Sequence, residues 1–215
     1  MRALKTKIRG LKKSQFERLK KLTHHAKNLY NQTLWTLREA FEATGLYFSY
    51  PQMDKAMKQV KNLEGEVNYR LVKSAVAQQA LRRLDKNFKS FFACHQDFQK
   101  NPGKYKGKPR PPKYKKDQHD NLIYNTCAFQ VKNRVTDGST ERVAVLEKGL
   151  EIPIPLPLQD KEIKQVEIIP KPNCFHAVFV YEENPANFVL VRQSDKTMSI
   201  DLGLNNLATC VTNGV

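Results

Sequence analysis

Residues 100–116, Lys-Asn-Pro-Gly-Lys-Tyr-Lys-Gly-Lys-Pro-Arg-Pro-Pro-Lys-Tyr-Lys-Lys, hold eight cations, four prolines, two tyrosines and no acidic residue. Proline lacks the amide donor that a helix requires, and crowded like charges repel one another. This stretch therefore forms no regular helix, and it cuts the chain in two. Before it, apolar residues recur at three- and four-residue steps; after it they fall into short runs rich in Val, Ile, Phe and Tyr. The chain reads as an α+β protein, and 215 residues suffice for one large or two modest cores.

The first half opens with an alternation over residues 2–9: Leu4, Thr6 and Ile8 on one side of a strand, Lys5, Lys7 and Arg9 on the other. Gly10 ends that strand. Ser14 and Glu17 then have the spacing of a capping box, and Phe16, Leu19, Leu22, Ala26, Leu29, Tyr30, Thr33, Leu34, Leu37 and Phe41 form the apolar stripe of a long helix reaching Gly45. An aromatic connection, Tyr47-Phe48-Ser49-Tyr50-Pro51, leads to a brief helix over 52–61. A third helix is predicted over about 69–99, with Val72, Val76, Ala80, Leu84, Phe88, Phe91 or Phe92, His95 and Phe98 as its core-facing stripe. His24 and His25 are adjacent, about 100° apart on a helix, and so are not placed to share a metal as an i, i+4 pair is.

Beyond residue 118, strands are predicted at 122–131, 143–146, 150–154, 166–169 and 175–181, separated by turn signals such as Asp137-Gly138-Ser139 and Lys148-Gly149. The Ile152-Pro153-Ile154-Pro155-Leu156-Pro157 run belongs at an edge or crossover, because proline has no amide hydrogen to donate to a ladder. With residues 2–9 these segments supply about six strands, enough for a meander or small antiparallel barrel interrupted by the helices. Residues 197–215 would begin a separate fold.

Charge follows the same division. Residues 1–117 hold 28 Lys and Arg against 9 Asp and Glu, a net of +19, whereas residues 118–215 hold 9 against 12, a net of −3. A basic excess confined to one region is the electrostatic footprint of a polyanion-binding surface. The candidate contacts are Lys5, Lys7 and Arg9 on the first strand, Lys20, Lys21 and Lys27 on the first helix, and Arg82 and Arg83 on the third. The central segment adds Lys104, Tyr105, Lys106, Lys108, Arg110, Lys113, Tyr114, Lys115 and Lys116. Interleaved tyrosines and cations suit single-stranded or irregular nucleic acid, with bases on the rings and phosphates on the cations. Other readings stay open. Lysines on the first strand also serve as gatekeepers of an exposed edge, and Arg110-Pro111-Pro112-Lys113 also fits a polyproline ligand or a linker.

No apolar run is long enough to span a bilayer, and Met1 to Arg9 lack a secretory apolar region, so an intracellular, cytoplasmic protein is expected. Cys94, Cys127, Cys174 and Cys210 show no Cys-x-x-Cys spacing; they are expected to be reduced and mostly buried, with no zinc site among them.

Near the end of the chain, Thr197-Met198-Ser199-Ile200-Asp201 and Ala208-Thr209-Cys210-Val211-Thr212 read as two short adjacent strands around a Gly- and Asn-containing interruption. Ionising an unpaired Asp inside a buried strand is costly, so Asp201 needs a cation, a hydrogen-bond cage or the surface. A metal ligand is one reading; the start of a turn is the other.

The segment Ile200-Asp201-Leu202-Gly203-Leu204-Asn205-Asn206-Leu207-Ala208-Thr209 closely resembles the opening of the RuvC-type nuclease domain in the OrfB/TnpB family of insertion-sequence proteins, relatives of the type V CRISPR effectors. Leu29-Tyr30-Asn31, Phe91-Phe92 and Gly107-x-Pro109-Arg110-x-x-Lys113 match that family in the same order. The resemblance implies a first strand of a wedge-type β-barrel (1–10), a helical recognition insertion with its basic loop (11–117), the remainder of the barrel (118–195), and the first two strands of an RNase H-like RuvC domain (196–215). It implies a transposon-encoded RNA-guided DNA endonuclease with guide RNA and target DNA as partners, and Asp201 as a catalytic ligand of Mg²⁺. The family's second acidic segment, Cys-x-x-Cys ribbon and third acidic residue have no positions here. The chain is therefore expected to be an N-terminal portion, inactive alone, since one Asp cannot hold the two ions of such a centre. The alternatives are a catalytically dead nucleic-acid-binding regulator, or an RNA-binding module unrelated to transposition.

Overall fold

The computed structural model describes residues 1–136, 139–183, 198–201 and 209–212. It is an α+β protein with two compact units, Met1–Glu182 and Glu183–Val215.

In the first unit, β1 (Arg2–Lys7) precedes α1 (Lys13–Thr44) and α2 (Tyr50–Met57); a 3₁₀ turn at Asn68–Arg70 then leads into α3 (Ser74–Lys100). The first helix begins earlier than the Ser14/Glu17 pattern predicts. Gln15 Oε1 accepts the Lys12 amide at 3.0 Å, which satisfies the helix start two residues ahead of the Ser14/Glu17 pair. Only half of a capping box forms, because a lysine side chain has no acceptor to return. At its other end Gly45 adopts φ 68° and donates to the Phe41 carbonyl at 2.7 Å, closing the helix with a left-handed residue. The second helix is shorter than predicted and is capped by Ser49, whose amide and hydroxyl both donate to Gln52 Oε1.

The buried face of α1 runs through Leu19, Leu22, Ala26, Leu29, Leu34 and Leu37, and packs on Val76, Ala77, Ala80, Leu81 and Leu84 of α3. The predicted stripe of α3 holds as far as Phe88. Beyond it Phe91, His95 and Phe98 are only half-buried and Phe92 is exposed.

Strands β2 (Leu122–Asn125), β3 (Gln130–Thr136), β4 (Ser139–Glu147), β5 (Leu150–Pro153), β6 (Glu162–Lys171) and β7 (Cys174–Glu182) build two antiparallel sheets. Their orders are β1-β7-β6-β2 and β3-β4-β5. The stretch 122–131 is two strands, not one: Ala128 donates to the Asn125 carbonyl at 2.8 Å, and this turn carries the chain from the first sheet into the second. Pro153 lies on β5, an edge strand, where its missing donor is tolerated. Among the described residues no ladder joins the two sheets into a closed ring.

Leu122, Tyr124, Val166, Ile168, Ala177 and Phe179 from the first sheet, and Ala144, Leu146, Leu150 and Ile152 from the second, share one core with the helices. Polar contacts tie the layers as well. Arg18 pairs with Glu147 at 2.8 Å and donates to Lys148 O, while Lys73 Nζ donates to the carbonyls of Ala128 and Leu146. Three of the four cysteines, Cys94, Cys127 and Cys210, are exposed and Cys174 is half-buried, contrary to the buried thiols expected from sequence. They fall on polar faces and turns that periodicity did not separate from the core.

In the second unit β8 (Met198–Asp201) pairs antiparallel with β9 (Thr209–Thr212), Asp201 facing Thr209 in the register. The Gly- and Asn-containing interruption, 202–208, lies outside the described residues, as does the side chain of Asp201.

Candidate nucleic-acid interface

The basic segment after α3 is not a free strand of chain. It turns once as a 3₁₀ helix at Pro102–Lys104, and Lys104 and Tyr105 both fold back on Asp97: the ammonium sits 2.8 Å from Asp97 Oδ2 and the phenol donates to the same oxygen. Bonds from Lys104, Tyr105 and Asn101 hold the Asp97 carboxyl below the usual carboxylate range, and the shared bond pushes the Tyr105 phenol up to about 12.

Farther along, the segment is strapped across α1 and α3. Arg38 donates to Pro112 O at 2.8 Å, with its guanidinium 4.8 Å from the Tyr114 ring centre. Asn31 makes two bonds to one residue, donating to Lys115 O at 3.0 Å and accepting from Lys115 N at 2.8 Å. The buried Asp120 then takes Arg83 on one oxygen and Lys115 on the other, while its amide donates to Thr23 O at 3.0 Å. Both cations stand beside the Tyr30 ring, Lys115 at 4.7 Å and Arg83 at 5.8 Å. Burial lowers the Lys115 pKa, with the bond to Asp120 opposing the shift.

These bonds sort the residues predicted to meet phosphate. Arg83, Lys104, Tyr105 and Lys115 are engaged by carboxylates, and Arg82 is stacked 4.5 Å from the Tyr50 ring centre. Tyr114 is half of the Arg38 pair. The other eleven, Lys5, Lys7, Arg9, Lys20, Lys21, Lys27, Lys106, Lys108, Arg110, Lys113 and Lys116, have no ion-pair partner among the described residues. All but the half-buried Lys27 are exposed. Lys5 and Lys7 stand on β1, the outer strand of its sheet, where both the phosphate and the gatekeeper readings apply.

No protein-family model and no curated protein matches this chain.

A cleft of about 900 Å³ opens between α1, residues 115–121 and the β6–β7 turn, lined by Lys20, Arg83, Lys115, His119 and Lys171 facing Asp117 and Asp120. Periodicity did not single out Lys171 or His119; only the fold brings them beside Lys20. His119 joins the His24/His25 pair, with ring centres of His24 and His119 6.3 Å apart and His119 Nδ1 3.0 Å from Thr23 Oγ1. Burial first, then His24 and neighbouring lysines, lowers the His119 pKa; burial, Lys21 and His24 do the same to His25. Both rings are thereby biased towards the neutral form. Among the described residues no group of three or more His, Cys, Asp and Glu is arranged to hold a metal ion. No described helix is long and apolar enough to cross a membrane.

Proposed function

We propose that this chain is the nucleic-acid-binding, N-terminal part of a TnpB-like, transposon-associated RNA-guided DNA endonuclease, holding guide RNA and target DNA. The observation that carries the reading is the fixed display of cations: a proline-rich segment strapped to two helices by Arg38, Asn31 and Asp120, with Lys106, Lys108, Arg110, Lys113 and Lys116 left exposed and unpaired. A flexible linker needs no such straps, and a merely soluble face needs no such excess. In this reading the two antiparallel sheets are the wedge and β8–β9 opens the nuclease domain. Pairing between guide and target reads the sequence, while the protein holds backbone and duplex shape.

Mg²⁺ belongs to the complete nuclease, with Asp201 as one ligand. The described residues do not supply the several oxygens an octahedral ion requires, so no cleavage step is assigned to them. The test is purification of the chain followed by identification of what accompanies it. A structured RNA released by added salt supports the proposal; protein free of nucleic acid, with no affinity for added RNA at low salt, contradicts it.

A further inference from the structure

The apolar stripe of α3 outlasts the core that should cover it. Phe91 and Phe92 run on past Phe88, and across from them stand Leu37 and Phe41 of α1 and Tyr47 of the connection that follows it. Together they line a groove of about 520 Å³. Phe41 is 53% and Phe92 43% exposed, and the two rings line the same groove. Tyr47, Phe88 and Phe91 surround Phe92 at 5.2, 6.0 and 5.4 Å between ring centres, with interplanar angles of 86°, 35° and 51°. None of these neighbours lies parallel to Phe92. The tyrosine is pinned by its bond to Asp85 at 3.0 Å, so the cluster is held from beneath.

Pro111 closes one side of this groove, and the same segment opens a second hollow on its other side, lined by Phe91, Pro109, Arg110, Pro112 and Lys113. Phe91 belongs to both. The aromatic groove therefore adjoins a hollow that holds the exposed cations Arg110 and Lys113, with Arg38 on the groove's own wall and Glu42 its one carboxylate. An amphipathic helix docking in a groove needs a row of anchors over two turns, whereas the apolar lining here is a single cluster with a basic border. That combination fits a planar, apolar-faced group joined to an anion.

We infer that the groove at Phe41, Tyr47 and Phe92 is a stacking site for an unpaired base of a single strand whose phosphates lie on Arg110 and Lys113. The inference rests on the nucleic-acid reading above and deepens it: this surface takes an unpaired strand, and binds it partly through rings. Stacking of this kind tolerates any base, because every base has a π-face.

The experiment uses the full chain and a short single-stranded oligonucleotide carrying 2-aminopurine, titrated at several salt concentrations. With the native protein, 2-aminopurine fluorescence is quenched on binding. Phe92→Ala and Phe41→Ala weaken binding about tenfold each and abolish the quenching, while leaving the salt dependence unchanged, because no phosphate contact is lost. Phe92→Tyr restores both signals. Circular dichroism and melting of each variant confirm that it is folded, as expected for two half-exposed side chains. Alanine variants that bind and quench like the native chain overturn the inference but not the nucleic-acid reading, and point to a protein partner for the groove. A native chain that binds no oligonucleotide at low salt overturns both.

Discussion

His25 and His119 sit where their protonation is opposed, by burial and by Lys20, Lys21, Lys27 and His24 around them. Their pKa values fall below the ordinary 6.5 in the folded chain, whereas the unfolded chain keeps that value. As pH falls, the unfolded state takes up protons first. The stabilisation from the two neutral rings is complete above 6.5 and disappears as pH drops through the lower folded values. The melting temperature should therefore decline as pH falls below 6.5, and His119→Gln should flatten the decline. A melting temperature that rises on acidification over that interval contradicts the assignment. The same scale explains what composition concealed. Each cation between residues 100 and 116 looks alike in the sequence, yet Asp97 removes Lys104 from the free set and Asp120 removes Lys115. Sequence spacing does not tell which carboxylate folds back on which lysine; Asp120 in particular reaches Arg83 from a different element.

At the scale of elements, Asp120 is the knot between α1, α3 and the segment that crosses them. Its carboxylate is buried and its two cations are about a quarter exposed. Removing one member of a buried, hydrogen-bonded ion group costs ~3–5 kcal/mol, and the partial exposure of Arg83 and Lys115 puts Asp120→Ala at about 3 kcal/mol, the lower end. Urea unfolding measures that loss, and limited proteolysis should show earlier cleavage within 105–116. A loss below about 1 kcal/mol would mean that the straps at Arg38 and Asn31 hold the segment without it. The long helices, most of the strands and the edge position of the Pro153 run were legible from period and proline chemistry. Their boundaries were less so. Ser14 and Glu17 have the right chemistry for a cap, but Lys12 and Gln15 are where the chain leaves Gly10 and turns into the helix. The break at 125–128 was hidden because apolar residues continue on both sides of it, although they serve different sheets. The outer end of α3 shows the opposite case: its stripe continues, but Phe91 and Phe92 outrun the element that would bury them, and period alone does not report the length of a neighbour.

For the whole molecule, the charge division and the fold do not coincide. In the first unit the basic half supplies β1 and the helices, the other half supplies β2 to β7, and both enter one core. The cations are thus mounted on a scaffold that neither half builds alone. The central claim is that this mounted surface binds a nucleic-acid backbone, and its most direct test is affinity for single-stranded RNA as a function of salt. The logarithm of the association constant should fall linearly with the logarithm of salt concentration. In a variant with Lys106, Lys108, Arg110 and Lys113 all replaced by alanine, the slope should be shallower by about 0.7 for each phosphate contact removed. An affinity that does not change with salt, or a slope that is the same in the variant and the native chain, would contradict the account.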